Sequence, residues 1–175
     1  MNEPRVQSRY QVRFDWGLAG GGSIAEGAGV VVWIDALPTA GAPDPLDLPY
    51  SGGMLAGSVG NAAVTAQRVL DRQAELGHRL MIAVVAAGTD DGRFAVEDLL
   101  AAGAIIDALG DLGVDATSPE AAAAASAFSG LRKATSHLLS GSVTGQEVGQ
   151  KLVDAAREVN EKPELRTLRE FSLPS

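Results

Sequence analysis

Polar and apolar side chains alternate from Gln11 to Asp15 as in a half-buried strand, and the pattern breaks over Gly17 to Ser23. Val30 to Ile34 is a continuous apolar run containing three successive valines. It is too short for an independent helix and β-branched, which predicts a strand covered on both faces, with Asp35 at its C-terminal end. Pro38, Pro43, Pro45 and Pro49, with several glycines, predict a long loop over residues 38–53. Asn61 suits a helix N-cap. Val64, Ala66, Val69, Leu70 and Ala74 then share one face of a helix that ends at Gly77. Leu80 to Val85 reads as a third buried strand.

Beyond the polar turn Gly88 to Gly92, apolar positions recur at helical spacing: Val96, Leu99, Leu100, Gly103, Ile106 and Leu109, with Gly110 to close the helix. Ser118 and Pro119 supply an N-cap and a first-turn proline for the alanine-rich stretch to Phe128, and Leu131 to Leu139 makes another helix. Thr144 and Glu147 have the capping-box spacing. Val148, Leu152, Ala155 and Val159 continue that helix until Pro163 ends it. Leu165 to Leu173 either adds a last strand or lies across the surface. Strands followed by helices predict an α/β fold: a single domain with a largely parallel or mixed sheet, flanked by helices and helix-rich in its C-terminal half. Residues 1–9 read as a flexible lead, and no internal repeat is found.

At 175 residues and 46% hydrophobic composition, the chain can bury one sizeable core. A net charge of −8 argues against nucleic acid as a partner, because that binding is driven by clustered Lys and Arg. A small anionic substrate is still compatible, since it answers to the field of one cleft; it would need a metal or an arginine there. The absence of cysteine excludes disulfides, thiolate nucleophiles and sulfur-based zinc sites. Met1 to Tyr10 carries Glu3, Arg5 and Arg9 with no apolar run behind them, so neither a signal peptide nor a transmembrane helix is drawn. A cytoplasmic protein with no membrane partner is expected.

Ligands of parallel sheets gather where strands end and helices begin. That rule selects Asp35, Asn61, and the stretch from Thr89 to Glu97 and Asp98. Mg²⁺ favours oxygen ligands and commonly binds one or two carboxylates plus a substrate phosphate, a chemistry that Asp35, Glu97 and Asp98 offer, while Arg93 would hold a substrate oxygen. Spacing leaves a structural alternative open for each. Acids in a first helical turn face the positive end of the dipole, Asp commonly bonds turn amides, and Asn61 is a cap. Gly20, Gly21 and Gly22 precede Ser23 but no lysine follows, so a flexible turn is favoured over a phosphate loop. His78 and His137 lack an acid and serine partner and read as surface or packing residues.

Gly88 to Ile106 (GTDDGRFAVEDLLAAGAII) resembles the AG…EDxLxAGAI segment of the 2-phosphosulfolactate phosphatases. Val30 to Leu37 (VVVWIDAL) is similar to their VVVIDVL strand, and Gly57 to Val64 (GSVGNAAV) to their GSxxNAxAV helix entry. The likeness runs in order from about Tyr10 to Val153. It departs at Leu37-Pro38-Thr39-Ala40, where the family has an LRAT-type turn, and in lacking the NSP-like and TTNGT-like turns. The resemblance implies an α/β fold and Mg²⁺-dependent hydrolysis of 2-phospho-3-sulfolactate to 3-sulfolactate and phosphate, a step towards coenzyme M. It implies that Glu97 and Asp98 hold Mg²⁺ and that Asp35 holds metal or orients the attacking water. Asn61, Thr89 and Arg93 would position oxygens of the phosphorylated, sulfonated metabolite. The departures leave a second class open: a relative that keeps the fold to bind such an anion without turnover. A structural subunit of a homo-oligomer, packed through the alanine-rich helices, is a third.

Overall fold

Along β2, Val30–Ile34, successive side chains enter two different cores. Val30, Val32 and Ile34 join one cluster and Val31 and Trp33 the other, which is why the whole run is apolar. A computed structural model describes residues 4–90 and 93–172. Its elements are β1 Val12–Trp16, α1 Gly17–Ala25, β2, β3 Gly53–Gly57, α2 Ala62–Leu76, β4 Ile82–Ala86, α3 Val96–Asp111, α4 Pro119–Leu131, α5 Thr135–Gly141, α6 Val143–Val148, α7 Gln150–Asn160 and β5 Arg166–Arg169. The sheet order is β1-β4-β2-β3-β5. The first four strands are parallel and β5 runs antiparallel to β3. The expected α/β architecture with a mixed sheet and a helix-rich C-terminal half is therefore what the chain adopts.

Connection handedness explains the layering. The chain passes from β1 to β2 in one direction and from β3 back to β4 in the other, and two right-handed crossovers of opposite direction must lie on opposite faces. Accordingly α1 packs Ile24 and Ala25 with Val31, Trp33 and Val85 on one face. On the other, Ala66 and Val69 of α2, Ala101 and Ile105 of α3, and Ala121 and Ala124 of α4 cover Val30, Val32 and Val84.

Several expectations are corrected in detail. Gly17 to Ser23 is helical, not a turn. A Cβ at Gly21 would lie 2.7 Å from a Val85 methyl and 2.9 Å from Leu48, so the glycine lets α1 sit close on the sheet and tertiary packing overrides its poor propensity. β3 was not anticipated; Gly-Met-Leu-Ala-Gly carries no β-branched residue, yet it pairs along its whole length with β2 and from Met54 to Ala56 with β5. Thr144 does not cap a helix: Ser142 does, accepting from the Gly145 amide, and Gly149 at φ 83° then separates α6 from α7. Pro4 onward is docked, the Gln7 amide donating to Phe14 O at 2.9 Å and accepting from Phe14 N at 3.1 Å along the outer edge of β1. Residues 1–3 of the expected flexible lead lie outside the described residues.

Gly110 does not close α3, which runs on to Asp111, and Asn61 stands at the start of α2 without a side-chain capping hydrogen bond; other boundaries follow their expected signals. Gly77 ends α2 in the left-handed region at φ 67°, Ser118 caps α4 through the Ala121 amide, and the last segment adds β5. Among the described residues, no helix is long and apolar enough to cross a membrane.

Candidate active site

The C-terminal ends of β2 and β4 lie side by side, and the first turn of α3 lies over them. Gly88, at φ 76°, turns the chain out of β4. Thr89 then closes the turn: its amide donates to Arg93 O at 3.0 Å and its Oγ1 accepts from Arg93 N at 2.9 Å. This delivers Glu97 and Asp98 to the strand ends.

Asp98 is only 2% exposed. Its Oδ1 accepts from Ala36 N at 2.7 Å and its Oδ2 from Gly88 N at 2.9 Å, so one carboxylate stitches the loops leaving β2 and β4 to each other and to α3. Burial pushes its carboxyl well above the usual range, against the pull of those amides, and the neighbouring Asp35 and Glu97 add to the rise.

Glu97 is 6% exposed and its Oε2 has no hydrogen-bond partner. It lines a cavity of about 190 Å³ with Ala36, Gly60, Ser136, Arg157 and Asn160. The Arg157 Nε in the same cavity is likewise buried without a partner, although its other nitrogens reach Asp154 and Ser140. Asp35 lines an adjoining hollow of about 230 Å³ with Pro38, Asn160 and Arg166. Ala36 and Asn160 belong to both walls, and the Asn160 amide donates to Ala36 O. Burial, above all, raises the Asp35 carboxyl to about 6; the Leu37 amide and Arg166 oppose the rise, and Glu97 and Asp90 reinforce it.

The structure thus groups three of the sequence-derived candidates, Asp35, Glu97 and Asp98, within one another's field. Thr89 and Arg93 line a separate hollow with Thr39, Asp90, Phe94 and Glu147. Asn61 does not face the site: it is 0% exposed, its Oδ1 accepts from Ser58 N, and its Nδ2 donates to Ala56 O and Glu164 O. Its amide pins the start of α2 to the segment leading into β5, so the substrate-positioning role expected of Asn61 gives way to a structural one. His78 and His137 are exposed, as expected.

Sequence reading missed Arg157, Asn160 and Arg166. Their one available signal was weak. Each is a polar residue in or beside a segment whose pattern reads only as amphipathic helix or surface strand, and nothing local ties that segment to the end of β2.

The donor set suits a hard cation in one respect. Glu97 presents a buried, unpartnered carboxylate oxygen beside a second carboxylate, and Mg²⁺ needs only one or two such groups when water and phosphate complete its shell. Both Asp98 oxygens are already engaged by amides, and among the described residues no group of three or more His, Cys, Asp or Glu forms a self-sufficient metal cage. Residues 50–160 match the model of a family described as 2-phosphosulpholactate phosphatase. No curated protein matches the chain.

Proposed function

Because the chain belongs to the 2-phosphosulpholactate phosphatase family, and so is a phosphoric monoester hydrolase, we propose that it hydrolyses 2-phospho-3-sulfolactate to 3-sulfolactate and phosphate, with Mg²⁺ held at Glu97 and with Asp35 acting as the base. The observation that carries this reading is the buried, unpartnered Glu97 Oε2 on a cavity wall next to a second carboxylate. A buried carboxylate with an unused oxygen is costly unless a cation or donor completes it. When bound, Mg²⁺ supplies neutralisation of charge on the phosphoryl oxygens.

The chain's own residues supply the rest. Glu97 and Arg157 face the cavity that takes the phosphoryl group, the guanidinium Nε–H offering a donor to one of its oxygens. Asp35 orients the attacking water and takes its proton as the P–O bond to the sulfolactate oxygen breaks; solvent protonates that leaving oxygen. Thr89 and Arg93, in their separate hollow with Asp90 and Glu147, would contribute polar contacts to substrate oxygens. The direct test is phosphate release from 2-phospho-3-sulfolactate with and without Mg²⁺. Turnover that EDTA removes and Mg²⁺ restores is expected. A folded, inactive wild type would overturn the proposal in favour of a lapsed relative that only binds.

Asp35 fixes a pH dependence. Its folded pKa of about 6 lies above the ordinary value of about 3.9, so the fold holds this proton more tightly than the unfolded chain does. The stability it contributes is complete below the unfolded value and is lost as pH rises through about 6. Activity runs the other way, kcat/KM rising as Asp35 ionises near 6. Asp35→Asn is expected to lose that rising limb and to exceed wild type in stability by about 1–2 kcal/mol at neutral pH, after allowance for partial exposure. Below roughly pH 4 the two should converge in urea unfolding. An unchanged acid limb in the variant would exclude Asp35 as the base.

A further inference from the structure

The last strand brings an uncommitted cation to the site. Arg166 opens β5 opposite Ala56 of β3 and is half-buried, and it shares its hollow with Asp35 and Pro38. Among the described residues no hydrogen bond or ion pair within 4.0 Å engages its guanidinium, whereas Arg68, Arg72, Arg132 and Arg157 all have carboxylate partners. Ala155, Ala156 and Val159 of α7 form an apolar wall beside it. A guanidinium partly withdrawn from water, with its fork of donors unused and room for a ligand, is suited to bidentate capture of an oxyanion.

The site also needs such a charge. Asp35 and Glu97 repel any entering anion, and Pro38, on the wall of the same hollow, offers neither charge nor donor. Arg166 faces Asp35 closely enough for each to act on the other's ionisation. Like Asp35, it lies outside residues 50–160, the stretch that the family model matches.

We propose that Arg166 is a specificity-determining residue: it holds the second anionic group of the substrate, a sulfonate or carboxylate, in the Asp35 hollow while the phosphoryl group occupies the Glu97 cavity. The inference rests on the phosphatase reading for the phosphoryl end alone. Substrates would then be phosphomonoesters carrying a further anion a few bonds from the ester, and simple phosphomonoesters would gain nothing from Arg166.

Calorimetric titration of the full chain with 3-sulfolactate, and separately with inorganic phosphate, tests this in wild type, Arg166→Gln and Arg166→Lys, with thermal unfolding in parallel. The glutamine variant is expected to bind 3-sulfolactate at least tenfold more weakly and the lysine variant to recover part of that loss. Phosphate affinity and Tm should stay at wild-type values. In turnover, KM for the sulfonated substrate should rise at unchanged kcat. Equal affinity of wild type and Arg166→Gln for 3-sulfolactate would overturn the proposal, as would no binding by wild type. A parallel fall in phosphate affinity and Tm would reduce Arg166 to a structural partner of Asp35 and overturn it too. A wild type that binds 3-sulfolactate through Arg166 yet releases no phosphate would overturn the phosphatase proposal and leave this one standing.

Discussion

Glu97→Gln is expected to lower Mg²⁺-dependent phosphate release by roughly 100-fold or more in kcat/KM while leaving the fold as stable as wild type or more so. The pairing of these two effects is what the geometry predicts. The carboxylate is buried and its Oε2 has no partner, so in the absence of ligand the protein carries a desolvated oxygen that contributes nothing to folding. Glutamine keeps the shape and removes the charge on which cation binding depends. Thermal unfolding adds a readout independent of turnover. A ligand bound only by the native state raises Tm with concentration, so Mg²⁺ should stabilise wild type and not Glu97→Gln. Activity retained in the variant, or lost only in step with unfolding, would remove Glu97 from the site.

Asp98→Ala should do the reverse, with the fold giving way first. Losing the carboxylate leaves the Ala36 and Gly88 amides without acceptors at the joint of β2, β4 and α3. At about 1–3 kcal/mol per buried unsatisfied group, the loss is about 2–5 kcal/mol, or roughly 5–15 °C in Tm for a chain of this size. Asp98→Asn keeps one acceptor but turns an NH₂ towards a donor, and should fall between wild type and alanine. The deficit should be the same with and without Mg²⁺. A deficit that appears only when Mg²⁺ is present would make Asp98 a ligand, and wild-type stability of Asp98→Ala would show that the stitch does not fasten α3.

These contrasting roles mark where sequence reading stops. The Glu97-Asp98 pair was identifiable from its place in a helical first turn after a strand and a polar turn, but adjacent carboxylates on a helix point about 100° apart, and only the folded neighbourhood decides which one meets amides and which meets a cavity. Val30–Ile34 was legible because its uniform apolarity has a single structural cause, burial on both faces. β3 was not, because its identity comes from its neighbours: the backbone pairs on both edges while the side chains carry no strand signal. α1 was hidden the same way, three glycines reading as a turn until the sheet beneath makes close approach an advantage. Arg166 is the clearest limit, since its hollow is assembled from the end of β2, α7 and β5, far apart in the chain.

The strand order has a consequence for how this molecule assembles. β4 stands between β1 and β2, so neither of the first two strands made has the other as a neighbour, and β1 has no strand partner until the chain has grown past Ala86. Of the described residues before Ala86, α1 packs against it and the Gln7 side chain bonds along one edge. Strand order alone predicts that the seam closes late, by insertion of a central strand between its two neighbours, a non-local arrangement that favours slow folding. The two loops that Asp98 joins are the ones on either side of that seam. The carboxylate is therefore placed as a latch that can engage only once β4 lies beside β2, so the pocket floor is expected to form together with the parallel part of the sheet.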